Sequence, residues 1–569
     1  MLNETSRNGG KLTQSAINTQ SAFTSEIIQS SLQAISAEMF GAMRLTAMSP
    51  IIYEVLDMGT GILTADGEMA SSGAGIPALV GVVEKAVQRF VGIYNKPGEI
   101  EEGDIFITND PYYGGVTHLN DIALAMPVFA DGQLVAWTAN SAHWNDVGGS
   151  VHGSMDIKAT EIFQEGLRIP AVKLAWSGEV NRSIVEIIKV NSRMPAFAEG
   201  DLWAGIAAVR SGERRLKEVI QKYGRETFLG VLKDSMNEAE RLSLRALKDL
   251  PKGSFALEEP QDDGSTFRVR IDISDEEMLI DLRDNPDSIK GPLNASRDAT
   301  LIAAQIAFKS ITDPASSANG GSFRPLKVLT RPGSVFEALP PTAQGFYYET
   351  LIRVNDLIFR CLAQVCPERL TAGTFASTAV VVLGGQNPDT GLPFTMVEPE
   401  LGGWGARNDG DGNHSIFSLI HGDTFNCPVE VAESRYGYTV DQLALNDLDP
   451  PGDGEFCGGR GVVIDYRLRA DGGALTAGFS RSKVPPWGLH GGADGSPNYV
   501  EVRRKDGRVS RHSFESDIPM AKDDVARIVT GNGAGFGPPG RRRPEAVQRD
   551  VRDGLITAEH ARSVYGIDS

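Results

Sequence analysis

Two short segments repeat one pairing of residue types: Thr117-His118-Leu119-Asn120-Asp121 and Ala142-His143-Trp144-Asn145-Asp146 each set a His three residues before an Asp, in a chain with only 8 histidines. Imidazole nitrogen and carboxylate oxygen are the donors that hold Mn, Fe or Zn in catalytic sites, whereas a closed structural zinc favours thiolates. The chain has 4 cysteines, Cys361, Cys366, Cys427 and Cys457, and their spacing forms neither a disulfide framework nor a zinc knuckle.

The residues between the two segments decide whether the histidines can meet. Ala123 to Ala130 and Gln133 to Ala139 flank Asp131-Gly132, a dipeptide that tolerates the positive φ angles of a two-residue turn, so the stretch reads as a β-hairpin. Pairing extrapolated from that turn puts His143 across from Asn120, with His118 as its diagonal neighbour on the same face, roughly 7 Å away. In an ideal strand an aspartate three residues on points to the opposite face. Asp121 and Asp146 therefore join the same ion only where the chain is irregular, which Gly114-Gly115 and Gly148-Gly149 permit; otherwise they orient an imidazole through its second nitrogen. Glu161 and Glu165 lie downstream and would supply a general base if buried, or a solvated helix face if not. Asp57 is an isolated acid after Val55-Leu56; a carboxylate buried there needs a partner, and a metal would be one.

These groups sit in an ordinary soluble composition: 569 residues, 41% hydrophobic and 23% charged, with a formal net charge of −19. The negative charge argues against nucleic acid or an anionic membrane as partner. Met1 to Ser25 is polar and lacks the apolar segment of a signal peptide, and no apolar run reaches membrane-spanning length, so a cytoplasmic protein is expected. There is no phosphate-binding G-x-x-x-x-G-K-[ST] loop and no G-x-S-x-G elbow.

The elements that must position the site follow from periodicity. Ser25 to Met48 has helical spacing, Leu79 to Phe90 reads as a helix, and Asp104 to Thr108 as a strand. Gly200 to Leu250 is helical, Phe267 to Ile273 and Met278 to Leu282 form a second hairpin, and Asn294 to Ile311 and Thr350 to Gln364 are apolar helices. The expected fold is multi-domain α+β, with mixed, largely antiparallel sheets and packed helices. The expected divisions are a polar tail (1–24), a metal-site domain (25–252), a second α+β domain with Gly-rich loops (253–540) and a C-terminal helical tail (541–569).

Several longer strings resemble the hydantoinase B/oxoprolinase family: Gly103 to Pro111, Thr117 to Asp121, Glu161 to Lys173 and Gly402 to Arg407. The resemblance continues through Asn319 to Pro325, Asn426 to Val431, Pro485 to Leu489 and Pro544 to Leu555, so it covers the chain from about residue 25 onward. It implies the metal-bearing subunit of an ATP-dependent amidohydrolase that opens hydantoins, 5-oxoproline or related lactams. ATP would be bound by a separate hydantoinase A-type subunit of a hetero-oligomer, in keeping with the missing phosphate loop. It also implies a divalent transition metal, Mn, Zn or Fe, held by His118, Asp121 and His143 with Asp57 as a further ligand, and leaves Asp146 outside the ligand set. Glu161 or Glu165 would then move a proton. Relatives include subunits of acetone and acetophenone carboxylases and of caprolactamase, so a ketone carboxylase is the alternative; the C-terminal strings look more like the hydantoinase branch. One departure is Phe456-Cys457-Gly458-Gly459-Arg460-Gly461, where the family's Arg precedes two glycines.

Overall fold

In the computed structural model, the described residues are 8–568 apart from 423, with side chains described from residue 23 onward. Seven strands make the sheet that carries the histidine hairpin: β1 (Met58–Thr64), β2 (Met69–Gly75), β3 (Ile105–Thr108), β4 (Asp121–Ala130), β5 (Gln133–His143), β6 (Val172–Trp176) and β7 (Glu179–Val180). Their order is β2-β1-β5-β4-β3-β6-β7, with all neighbours antiparallel.

Helices cover both faces of this sheet: α1 (Asn8–Thr46), α2 (Pro50–Tyr53), α3 (Pro77–Ile93), α4 (Arg182–Asn191), α5 (Pro195–Tyr223) and α6 (Arg225–Asp249). Alternate residues of β5 show which helix lies where. Thr138 Oγ1 donates to the Val209 carbonyl at 2.9 Å and Asn140 Nδ2 to the Gly205 carbonyl at 2.8 Å, both on α5. On the other face Trp137 packs edge-on against Phe106 at 5.6 Å, and Phe106 meets Phe90 of α3 at 5.3 Å. Because neither face sees water, Asp121 to Val128 are buried without alternation. His143 shares the parity of Trp137 and so emerges on the α3 face.

The expected helix over 200–250 is two helices meeting at Gly224, whose φ of +86° ends the first. The helix expected to begin at Ser25 starts at Asn8, so the polar tail expected over 1–24 is helical from residue 8 on; its residues 1–7 lie outside the described residues.

Four strands form a second sheet, β8 (Gly253–Pro260), β9 (Thr266–Ile273), β10 (Met278–Asp281) and β11 (Leu326–Leu329); the hairpin read from the alternating residues is β9–β10, and β10–β11 is parallel. Helices α7 (Arg297–Thr312) and α8 (Tyr347–Ala363) follow, α7 packing on α3 and α8 on α7. The remaining strands are β12 (Val380–Gln386), β13 (Pro393–Glu398), β14 (Tyr438–Leu445), β15 (Val462–Leu468), β16 (Gly473–Gly478), β17 (Tyr499–Arg503), β18 (Val509–His512), β19 (Phe514–Met520) and β20 (Val525–Val529). They build one sheet of order β13-β12-β16-β19 and one of order β14-β15-β20-β17-β18. Short helices α9 (Val429–Arg435), α10 (Pro544–Arg552) and α11 (Ala558–Tyr565) complete the fold, the last two being the C-terminal pair read from the sequence. The described residues thus form a mixed α+β structure with eleven helices and four mostly antiparallel sheets, none closed. One hydrophobic cluster runs through it from Ile28 to Ala534. No helix among the described residues is long and apolar enough to cross a membrane.

The loop before His118 depends on backbone that only glycine tolerates. Gly115 has φ +81°, and a Cβ there would lie 2.5 Å from the Lys85 carbonyl carbon; Gly98 has φ +80° with nothing within 4 Å. Gly98→Ala is expected to cost about 1 kcal/mol from φ strain alone, and Gly115→Ala about 3 kcal/mol or more. Thermal denaturation should rank the midpoints as parent, Gly98→Ala, Gly115→Ala; equal midpoints for the two variants contradict the collision.

Candidate metal centre

The hairpin forms, but its register differs from the extrapolation. Ala130 pairs with Gln133 and Phe129 with Leu134, whereas Val128 pairs with Ala136, so Val135 is an extra residue on β5. This β-bulge shifts every later pair by one, and His143 faces Asp121 instead of Asn120. The shift removes the difficulty over the aspartate: Asp121 is the direct cross-strand neighbour of His143. His118 precedes the strand in a turn, where the Asp121 N–H donates to the His118 carbonyl at 3.2 Å. Three residues therefore span a turn, and both side chains point the same way.

The result is a buried cluster. His118 Nε2 lies 3.3 Å from Asp121 Oδ1, His143 Nδ1 lies 3.5 Å from the same oxygen, and the two ring nitrogens are 3.2 Å apart. Two donors about 2.1 Å from one ion stand about 3.0–3.4 Å apart at the angles of octahedral or tetrahedral coordination, so this triangle fits a single divalent ion. Two imidazoles and a carboxylate suit Mn, Fe or Zn, and no cysteine lines the surrounding cavity. His143 turns Nδ1 toward this triangle, and its Nε2 is buried without a hydrogen-bond partner among the described residues.

Asp57 approaches from the turn before β1, with Oδ2 4.0 Å from His143 Nδ1, and lies outside the tight group formed by His118, Asp121 and His143. Leu56 just before it holds φ +65°, and the Asp57 carbonyl accepts the His143 N–H at 3.0 Å. Such a left-handed non-glycine residue is tolerated where the surroundings impose it.

Second partners fix His118 and Asp121. His118 Nδ1 lies 3.0 Å from the Gly345 carbonyl, which sets the tautomer that leaves Nε2 free for an ion. Asp121 Oδ2 accepts from the Thr117 hydroxyl and, at 3.1 Å, from the Tyr347 hydroxyl. Burial pushes the Asp121 carboxyl up, but His118 and His143 outweigh it and hold the group well below the usual carboxylate range. Burial pulls His118 down, yet Asp121 and the Gly345 carbonyl more than offset this, and its net shift is upward. His143 is lowered by burial and by the neighbouring His118. Asp57 is raised well above its ordinary value by burial and by Asp121.

The two glutamates separate. Glu161 is exposed and caps the short turn Ile162–Gln164. Glu165 is buried, and its carboxylate accepts the Gly345 N–H at 2.6 Å and the Gln344 N–H at 3.0 Å. Burial pushes Glu165 up to about 7 against these N–H groups and His118. Neither glutamate lines the cavity beside the histidines. Asp146 likewise lies outside the cluster: it accepts from the N–H groups of Gly148 and Gly153 and pairs with Arg193 at 2.9 Å, shaping the loop after β5. Arg460, the displaced arginine, donates to the carbonyls of Asn446, Asp449 and Leu555 and so ties the C-terminal helices to the Gly-rich loops.

The cavity itself, about 20 Å3, is walled by Ile51, Ile76, Leu79, Val380 and Val397 and shared by His118, Asp121, His143, Tyr347, Thr378 and His421. Tyr347, Thr378 and His421 come from segments more than two hundred residues away, and no local spacing marks them.

The Hydantoinase B/oxoprolinase family model matches residues 21–539. The chain belongs to that family. It is 28% identical over 567 residues to a putative D-/L-hydantoinase subunit, of the B type, from a Pseudomonas species, covering 96% of this chain and 94% of that protein. The crystal structure of ATP-dependent caprolactamase from Pseudomonas jessenii superposes with a TM-score of 0.88 at 25% identity, covering 96% of each chain. Acetone carboxylase in its nucleotide-free structure matches at a TM-score of 0.86 and 17% identity, over 96% of this chain and 79% of that one, and shows a shared fold.

Because an ion must displace any proton on His118 Nε2, and Asp121 favours that proton, metal uptake is predicted to weaken as pH falls through a His118 value above the ordinary imidazole range. The apparent affinity, measured by competition with a chelator, should fall about tenfold per pH unit below that point. An affinity that stays flat down to pH 6 contradicts the assignment. Asp121→Ala should abolish stoichiometric metal in elemental analysis, while Asp146→Asn should keep it.

Proposed function

We propose that this chain is the metal-bearing subunit of an ATP-dependent cyclic amidohydrolase, acting on a ring amide that an A-type ATPase partner has phosphorylated. The observation that carries this reading is the His118–Asp121–His143 triangle, buried beside a small apolar cavity in a chain of the hydantoinase B/oxoprolinase family. Relatives whose names make them one subunit of a hydantoinase and one of a caprolactamase support both the substrate class and the need for a partner.

The division of labour follows from amide chemistry. Nitrogen electrons feed into an amide carbonyl and make its carbon a poor electrophile. Phosphorylating the oxygen converts it to an activated imidate, a step that needs a nucleotide site, and this chain has no phosphate-binding loop. A divalent ion held by His118, Asp121, His143 and Asp57 supplies Lewis-acid chemistry, lowering the pKa of water and stabilising developing negative charge. The chain's own residues do the rest. The apolar walls exclude bulk water, so the fixed charges of the cluster act at low dielectric. Glu165 accepts the Gly345 N–H, and the Gly345 carbonyl accepts from His118; Gly345 thus links Glu165 to His118, which makes Glu165 a positioning residue. Tyr347 and Thr117 hold the second oxygen of Asp121 and keep the first directed at the histidines.

Co-expression with the neighbouring A-type subunit, followed by an ATP-dependent screen of hydantoins, 5-oxoproline and lactams, tests the reading. Ring-opened amino acid should form only with ATP and metal, and His118→Ala should lose at least about 10²-fold in rate while remaining folded. Bicarbonate-dependent turnover of a ketone, with no cyclic amide opened, overturns the proposal in favour of a carboxylase.

A further inference from the structure

A second cavity, of about 280 Å3 against about 20 Å3 beside the histidines, lies between β9, the first turns of α8 and the loop after β16, and it shares no lining residue with the metal centre. That volume approaches the range of small-molecule sites. Its body is apolar, walled by Phe267, Ile289, Leu293, Phe479 and Phe514. Phe267 packs edge-on against Phe336 at 4.9 Å and Phe514 against Phe346 at 5.2 Å, so these two rings are held in place. Ile289 and Leu293 are only half-buried, which leaves apolar surface open on this side.

One charged side chain reaches this wall with donors to spare. Arg353, 6% exposed, holds Glu259 Oε2 at 2.8 Å and Asp356 Oδ2 at 2.7 Å, both through Nη2. Its Nε is buried without a hydrogen-bond partner among the described residues, and no contact engages Nη1 there either. A guanidinium carries five N–H donors, so part of this one is unsatisfied, and native interiors seldom leave such groups unmatched. The two carboxylates are shared: Arg481 Nη2 also binds both, and Arg360 Nη1 binds Glu259 Oε1 at 2.8 Å, so three cations meet two anions. The acids on the cavity wall are occupied elsewhere. Asp262 accepts the N–H groups of Ser482, Lys483 and Val484, each at 2.9 Å, and the Ser482 hydroxyl; Glu349 accepts from the hydroxyls of Ser377 and Ser480 and the N–H groups of Thr378 and Ser480. A guest that accepts hydrogen bonds is what matches the donors left over.

We propose that this cavity is a binding site for a small aromatic monocarboxylate, with its carboxylate on Arg353 and its ring among the phenylalanines. Thr350 lies one turn before Arg353 on the same face of α8 and lines the same wall, so its hydroxyl is placed to donate to the second carboxylate oxygen. A charge-assisted hydrogen bond to a guanidinium is among the stronger polar contacts, and water-poor walls strengthen it further. The same walls disfavour inorganic phosphate, a doubly charged and strongly hydrated anion whose remaining oxygens would find no donor there. Aromatic pairs add attraction beyond the area they bury, which favours a ring over an alkyl chain of equal size. The site stands apart from the amidohydrolase reading, since none of its residues belongs to the metal cluster or to the groups that hold it.

The probe is phenylacetate, titrated calorimetrically into the metal-loaded full chain beside its uncharged counterpart phenylacetamide and inorganic phosphate. One phenylacetate should bind per chain, and the other two at least about tenfold more weakly. Arg353→Lys keeps the charge but withdraws the planar donors and should weaken phenylacetate at least about tenfold. Leu293→Trp fills the cavity while leaving the arginine network intact, so it keeps the test decisive if the lysine variant does not fold. It should abolish phenylacetate binding with metal content, by elemental analysis, equal to that of the parent. A carboxylate that binds the metal instead would survive Leu293→Trp and be lost in Asp121→Ala. That result overturns the proposal, as do equal affinities for the acid and the amide, or no binding of phenylacetate to the parent chain.

Discussion

The carboxylate of Asp121, a residue with 1% of its surface exposed, is the constraint on which the structure turns. A buried charge of this kind is tolerated only when every lone pair is engaged and an opposite charge is near. Its four neighbours come from separate places: Thr117 and His118 from the turn before β4, His143 from the end of β5 and Tyr347 from the start of α8. A sheet covered on both faces keeps water out, and the bulge at Val135 brings His143 opposite the aspartate. Removing any one of these leaves charge or polarity stranded in an apolar interior.

The same logic ties the two halves of the chain together. The 160–165 segment pairs with 341–345, through a bridge between Glu161 and Thr342 and the Ile162 N–H donating to the Pro341 carbonyl at 2.8 Å. That pairing delivers Glu165 to Gly345 and Gly345 to His118. The third sheet adds Val380 and Val397, and the loop after it adds His421, so the cavity closes only when distant segments have packed. Precision at His118, Asp121 and His143 is thus a property of the whole core rather than of the hairpin.

Much of this was legible in residue order. The Asp131-Gly132 turn, the strands beside it, the α+β class and the C-terminal helical pair all follow from local periodicity and turn chemistry. The register did not, because a bulge in a strand buried on both faces has no alternation to betray it. Asp57 entered through family resemblance, its local sequence being an acid after two apolar residues. Glu165 and Glu161 look alike in sequence; long-range pairing buries one and exposes the other. His421, Thr378 and Tyr347 carry no spacing signal, since only tertiary packing makes them neighbours of His118. The second histidine–aspartate pair was misleading in part: Asp146 bonds to its own loop and to Arg193 and is not a member of the His118–Asp121–His143 group.

The central claim is that His118, Asp121 and His143 together would hold one divalent ion. X-ray absorption on the metal-loaded chain tests it most directly. The account predicts a first shell of nitrogen and oxygen at about 2.0–2.2 Å with multiple scattering from two imidazoles. A shell with sulfur near 2.3 Å, or with no imidazole signature, contradicts it.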